Sequence, residues 1–318
     1  MKNTDYSSAK LYSVEEINAQ AISNPQALTA DSDCHFRLEI HAAVEEILER
    51  SENGGVIMLS GPSSAGKTTT SMMLRHLLSD KGRTAVKISL DDFFLAADET
   101  PLDKNGRRDF ESIRALNLDE IKSCLLSLSQ TGECFMPKYD FTKRRPSGVR
   151  QHIKIERDGF VIIEGLHAIN PVLTNEITGM TVTKIFLNVE SSVDVDGELL
   201  DGLTLRMLRR LVRDTSYRST DAQQCFEQWD SVVAGERENI LPFIGTSDII
   251  IDSFHKSEPG IIGCRAIPVL LSVPKESEHY GKAQRLAALL RRVQCVDLSF
   301  LDHKSLLTEF VGGGSYKY

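Results

Sequence analysis

Several things are scarce in this sequence, and each scarcity removes a class of protein. None of the 318 residues falls in an apolar run near the roughly 18 residues that a membrane-spanning helix needs. The opening MKNTDYSSAK is polar where an export signal requires an apolar core. Positive charge is not in excess either: 37 Lys and Arg face 45 Asp and Glu, for a formal net charge of -8. A nucleic acid or an anionic membrane as main partner rewards a basic surface, so neither is expected. The six cysteines (Cys34, Cys124, Cys134, Cys225, Cys264 and Cys295) include no C-x-x-C pair. That excludes a zinc site or a disulfide framework as an expectation and leaves thiols in a reducing, cytoplasmic compartment. The histidines show no metal-ligand spacing, and no internal repeat or low-complexity segment occurs. Trp229, the single tryptophan, reads as packing.

What is present is one organising stretch. The apolar run Val56-Ile57-Met58-Leu59 leads into GPSSAGKT, which fits the phosphate-loop spelling G-x-x-x-x-G-K-[ST]. Small residues let the backbone N–H groups of Gly61, Pro62, Ser63, Ser64, Ala65 and Gly66 (proline excepted) curl around an anion. The helix that follows, begun by Lys67, Thr68 and Thr69, adds the positive end of its dipole. Lys67 suits the outer phosphates, and the Thr68 hydroxyl suits Mg²⁺. Met72, Met73, Leu74, Leu77 and Leu78 follow at helical spacing.

The remaining pattern is that of one α/β domain with extensions. Helices are expected from Ser13, with Glu16 completing a capping box, and from about Ser32 to the Glu52-Asn53-Gly54-Gly55 break. Strands are expected at 84–90, 160–165, 182–189 and 248–252 besides the one before the loop, with helices at 118–128, 205–214 and 280–292. The segment Met136 to Gly148 reads as a surface hairpin or flap, and the Gly-Gly-Gly run after Phe310 as loose. Strands alternating with helices imply a parallel sheet covered on both faces, a three-layer α/β/α arrangement. Ligands in such sheets sit at the carboxyl ends of strands, where Asp91 and Glu164 both lie. The expected organisation is an N-terminal helical extension over 1–52, a phosphate-loop domain over 53–275 and a helical tail over 276–318.

Taken in order, GPSSAGKTT, ISLDDFF, MPKYDF, VIIEG and RRLVRD resemble the uridine kinase and phosphoribulokinase branch of P-loop kinases over about residues 54–254. DETPLDKNGRRDFESIRALNL, IIEGLHAINP, LVRDTSYRS and GGGS are similar to a bacterial uridine kinase-like group. Its longer members carry an N-terminal TGS and threonyl-tRNA-synthetase-like region, for which the residues ahead of the match leave no room. The resemblance implies transfer of the γ-phosphoryl group of ATP, with Mg²⁺, to the 5′-hydroxyl of a small-molecule nucleoside such as uridine or cytidine. It also implies a homo-oligomer as one arrangement.

Residue by residue, the resemblance makes Asp91 the catalytic base, although an Asp at a strand end also serves as a helix cap; Asp92 is the secondary candidate. Glu164 matches the strand-end glutamate that holds Mg²⁺, with Thr68 and Asp91 as further ligands. The helix over 205–222 matches an arginine-bearing lid, in which Arg210, Arg213 and Arg218 clamp phosphates and Arg213 aids catalysis. Tyr139 matches the aromatic that packs on the nucleoside base, or else covers core. Glu111 stands where relatives place an aspartate on the ribose hydroxyls, and the histidine expected after P-x-Y-D-F appears as Lys143 or Arg144. A further family arginine after Arg218 is replaced by Ser219 or Thr220. These departures touch the acceptor pocket and the clamp. The acceptor-pocket departures keep open a different hydroxyl acceptor, a sugar phosphate or pantothenate-like molecule, and the acidic surface and short terminal extensions keep open a nucleotide-binding regulatory protein in which ATP closes the lid without transfer. His167 reads as structural.

Overall fold

The computed structural model describes residues 9–103 and 106–316. The expectations for residues 1–8 and 317–318 lie outside that range. The chain opens with β1 (Leu11–Ser13), α1 (Val14–Ser23), α2 (Pro25–Arg50), β2 (Gly55–Ser60), α3 (Lys67–Asp80) and β3 (Ala85–Ser89). A 3-10 turn over Leu90–Phe93 follows, and then α4 (Leu118–Thr131), β4 (Glu133–Asp140), β5 (Arg145–Lys154), β6 (Phe160–Glu164) and α5 (Pro171–Thr174). The last part contains β7 (Thr181–Asn188), β8 (Ser192–Val195), β9 (Glu198–Leu200), α6 (Gly202–Tyr217) and α7 (Ala222–Asn239). It ends with β10 (Ile249–Asp252), α8 (Glu258–Leu271), α9 (Tyr280–Leu290) and α10 (Thr308–Val311).

Five strands form the central sheet in the order β10-β7-β2-β6-β3, all parallel. Every residue of β2 is buried, as a central parallel strand covered on both faces requires. Its side chains alternate between two cores: Ile57 and Leu59 join the cluster built with α2, α3, α6 and α8, while Val56 and Met58 join the one under α4 and β4. That is the expected three-layer α/β/α arrangement. The flap is a two-stranded antiparallel hairpin of β4 and β5.

Several expectations are corrected. The helix expected from Ser32 begins at Pro25, because Asn24 accepts the N–H of Ala27 and proline is suited to the first helical position. The first helix is capped by Ser13, which accepts from Glu15 rather than pairing with Glu16 in a box. A second sheet, β1-β8-β9, was not anticipated; Asp196 and Gly197, both at positive φ, make its hairpin turn. Cys264 and Cys295 form a disulfide with a Cα–Cα separation of 5.7 Å, contrary to the all-thiol expectation; 31 residues of spacing gave no hint that α8 and the turn after α9 would meet. The Gly-Gly-Gly run is not loose through Tyr316: Phe310 is 0% exposed, and the segment packs beside the phosphate loop. Trp229 is buried at 3% exposure, in line with packing. One continuous core takes in residues from Val14 to Val311, so both extensions share it with the sheet. Among the described residues no helix is long and apolar enough to cross a membrane.

Candidate active site

The loop between β2 and α3 is shaped by close approaches. A Cβ on Gly61 would fall 2.3 Å from the Leu187 carbonyl oxygen, and one on Gly66 would fall 2.5 Å from Leu306 Cδ1. Ser64 (φ 60°) and Gly66 (φ 97°) take left-handed backbone that lets successive N–H groups turn inward. Gly66 brings no capping side chain to α3, which leaves first-turn N–H groups for an anion; that of Thr69 donates to Glu309. Lys67 Nζ folds back on the carbonyls of Gly61 (2.8 Å) and Pro62 (3.1 Å). Ser64 Oγ is buried without a partner.

The parallel register carries the acids to this loop. Glu164, the last residue of β6, lies beside Leu59 of β2 and Ser89 of β3, and Asp91 follows two residues on. Asp91 opens to solvent within the cleft, yet the cleft walls crowd its carboxyl. That crowding first, and then the negative Glu164, raises its pKa to about 6, with Lys67 pulling the other way. Glu164 is 5% exposed, and Lys87 Nζ stands 3.4 Å from its carboxylate. Asp92 points elsewhere: it accepts from Lys138 Nζ (2.7 Å) and from the Tyr139 amide (3.2 Å), tying the flap to the turn that carries Asp91.

Helix α6 divides its arginines. Arg206 and Arg209 are buried, the first bidentate to Glu236 (2.7 and 2.9 Å), the second to Glu258 (2.6 and 2.7 Å). Each also donates to the loop backbone, Arg206 to the Ser63 carbonyl (3.1 Å) and Arg209 to that of Ser64 (3.2 Å). Arg210 reaches Ser63 Oγ (3.0 Å), and Asp214 gathers Arg210, Arg213 and Arg218 at 3.4, 2.7 and 3.5 Å. Without Arg206 and Arg209 the Ser63 and Ser64 carbonyls would lose these donors. Their i, i+3 spacing was visible in the sequence; which face meets the loop was not.

A cavity of about 550 Å³ brings together Ser63, Ser64, Gly66, Lys67, Thr68, Asp91, Glu164, Arg210, Arg213 and Arg218. Gly61, Pro62 and Ala65 build the loop, and Thr69 the first turn of α3, without lining that space. Glu111, Tyr139 and Arg144 do not line it either. Glu111 nonetheless belongs to the same electrostatic neighbourhood: burial raises its pKa to about 7, Arg210 and Lys67 oppose the rise, and Glu236 and Asp91 add to it. Its side chain lies against Gly235 of α7, where a Cβ would come within 2.3 Å. His167, buried beside the backbone of Glu111 and Ser112, is held near 4 by burial and is uncharged at neutral pH. The Tyr139 ring meets Phe94 and Phe141 edge-on at 5.9 and 5.1 Å. Arg144 sits exposed at the hairpin turn with φ 52°.

The oxygen donors Thr68, Asp91 and Glu164 fit a hard divalent cation, which takes one or two carboxylates and completes its shell with phosphate and water. Asp91, whose pKa is raised by burial first and by the negative Glu164 second, would be relieved by such a charge. Among the described residues no cluster of three or more His, Cys, Asp or Glu could hold a metal by itself.

A parallel sheet whose central strand feeds a Gly-rich loop and helix, with acids at the neighbouring strand ends, defines the P-loop phosphate-binding class. The sequence model of the Phosphoribulokinase / Uridine kinase family matches residues 56–258, well over half of the chain. The chain belongs to that family. It is 28% identical over 211 residues to a uridine kinase of Saccharomyces cerevisiae, a match covering 65% of this chain and 38% of that protein. It is 26% identical over 201 residues to a uridine kinase of Staphylococcus haemolyticus, covering 63% of this chain and 87% of that one. The chain spans about two fifths of the length of the plant and yeast relatives it matches. A solved Bacillus stearothermophilus chain, described as a possible uridine kinase, is similar with a TM-score of 0.47 at 15% identity, over 69% of this chain and all of that one.

Proposed function

We propose that this chain is a kinase that transfers the γ-phosphoryl group of ATP to the 5′-hydroxyl of uridine or cytidine. The observation that carries the reading is the meeting of Asp91, in the turn after β3, and Glu164, at the end of β6, with Lys67, Arg210 and Arg213 in one cavity over the phosphate loop. Phosphoryl transfer asks for positioning and positive charge more than for covalent chemistry. The loop N–H groups and Lys67 hold the donor's phosphates, and Arg210, Arg213 and Arg218 close on them with paired donors. Ionised above about pH 6, Asp91 orients the acceptor hydroxyl and accepts its proton. Thr68, Glu164 and Asp91 would hold Mg²⁺, which when bound neutralises charge on the bridging phosphates. On the acceptor side, Glu111 offers oxygens to ribose hydroxyls, and the Phe94, Phe110, Tyr139 and Phe141 rings suit a planar base. Arg144, exposed at the hairpin turn, would add a positive charge on the acceptor side.

A second reading keeps the reaction and changes the acceptor to another hydroxyl compound, favoured by Glu111 standing where relatives have aspartate. A coupled ADP-release assay with Mg·ATP against nucleosides, sugar phosphates and pantothenate separates the two, with Asp91→Ala beside the wild type. Turnover with uridine or cytidine that Asp91→Ala abolishes supports the first reading. Turnover only with a non-nucleoside supports the second. ATP bound tightly with no acceptor phosphorylated removes both and leaves a regulatory protein.

A further inference from the structure

Residues 306–316 lie beyond the span matched to the family, yet they close one side of the cavity over the phosphate loop. Leu306 packs on Gly66, and Phe310 is buried beneath, its ring centroid 5.1 Å from the Arg209 guanidinium carbon. Glu309 Oε2 accepts from both the Thr69 amide (3.1 Å) and the Thr69 hydroxyl (2.8 Å), which fastens the segment to the first turn of α3. From there the chain reaches the flank of α3 that carries His76. Tyr217 Oη donates to the Val311 carbonyl at 2.7 Å, Gly312 and Gly313 take φ +79° and +78°, and the Tyr316 ring lies 5.8 Å from that of His76. His76 is about 13 Å along α3 from Lys67.

The cavity therefore has two chemically different ends. Lys67, Arg210, Arg213, Asp91 and Glu164 make the phosphate end highly charged. The other end presents the backbone of Gly312, Gly313 and Gly314 and the rings of Tyr217 and Tyr316. A Cβ on Gly313 would meet nothing within 4 Å, so a flat ligand can approach the backbone there, and aromatic rings stack on heterocycles.

We propose that residues 306–316 form the nucleoside end of the donor site, where the Gly312–Gly314 backbone and the Tyr316 ring bind the base and ribose of a nucleoside triphosphate. Glu309 is the positioning residue that fixes this wall to α3. The proposal rests on the reading of the cavity as a donor-nucleotide site and adds which part of the donor this segment engages.

Calorimetric binding of ATP and of inorganic tripolyphosphate tests it, on the wild type, Tyr316→Ala and a chain ending at Val311, which keeps the buried Leu307 and Phe310. Melting curves check that both variants fold. The expected result is unchanged tripolyphosphate affinity in both variants, with ATP bound roughly tenfold more weakly, the loss of one stacked ring and its backbone contacts. Equal ATP affinity in all three proteins, or a parallel loss of ATP and tripolyphosphate, would overturn the proposal. Wild-type ATP binding no tighter than that of Lys67→Ala would instead overturn the donor-site reading, and the proposal with it.

Discussion

Replacing Glu111 with glutamine isolates the cost of keeping an ionisable group in the acceptor wall. Its carboxyl moves from an ordinary 4.5 to about 7 on folding, chiefly through burial. Between those values the folded chain binds more protons than the unfolded one, so stability falls as pH rises through this window and stays reduced above it. At about 1.4 kcal/mol per pH unit, the ionised Glu111 costs up to about 3 kcal/mol at pH 8.5. Glutamine keeps the shape against Gly235 and removes that cost. With an unfolding entropy of about 2.1 cal/mol/K per residue over a chain of this length, Tm should rise by about 4 °C at pH 8.5. Little change is expected at pH 4.5, where the carboxyl is protonated in the folded chain. Calorimetric melts of wild type and Glu111→Gln at both pH values provide the assay, with acceptor KM measured alongside and expected to rise. A Tm that shifts equally at both pH values, or falls at pH 8.5, would refute the reasoning.

Three further outcomes are expected. Lys67→Ala should lower kcat by about 100-fold or more, since a preorganised charge at the transferring group is lost; steady-state ADP release reads it. Arg209→Ala strands a fully buried Glu258 and should cost about 3–5 kcal/mol, seen as a lower denaturant midpoint and a Tm lower by roughly 5–8 °C. Asp92→Ala frees the flap from the Asp91 turn and should raise acceptor KM roughly tenfold while moving kcat less; a kcat loss as large as that of Asp91→Ala would show instead that Asp92 acts in the chemistry.

The sheet and its ligand end were legible because parallel buried strands are spelled as short apolar runs. The five expected strands all formed, and register alone then carried Asp91 and Glu164 to the loop. Adjacent Asp91 and Asp92 could not be told apart by spelling: a 3-10 turn sends one to the cleft and the other to Lys138. Helical spacing put Arg206, Arg209, Arg210 and Arg213 on one face but could not say that two would be buried under the loop. The Asp196-Gly197 turn, flanked by Val193, Val195 and Leu200, is a hairpin signal present in the sequence itself. Long-range pairings such as Cys264 with Cys295 and Thr69 with Glu309 leave no local pattern, since only the packed chain brings them together.

The shared core has a consequence for inheritance. The family span ends at Glu258, the residue that neutralises buried Arg209, while Leu306 and Phe310 from outside it seal the apolar surface over Gly66 and α6. A relative lacking those outer segments must cover or repolarise that surface by some other means. Leu306 and Phe310 should therefore be gained and lost together across lineages, while Gly66, which the phosphate loop needs for its own left-handed backbone, stays whether or not they are present.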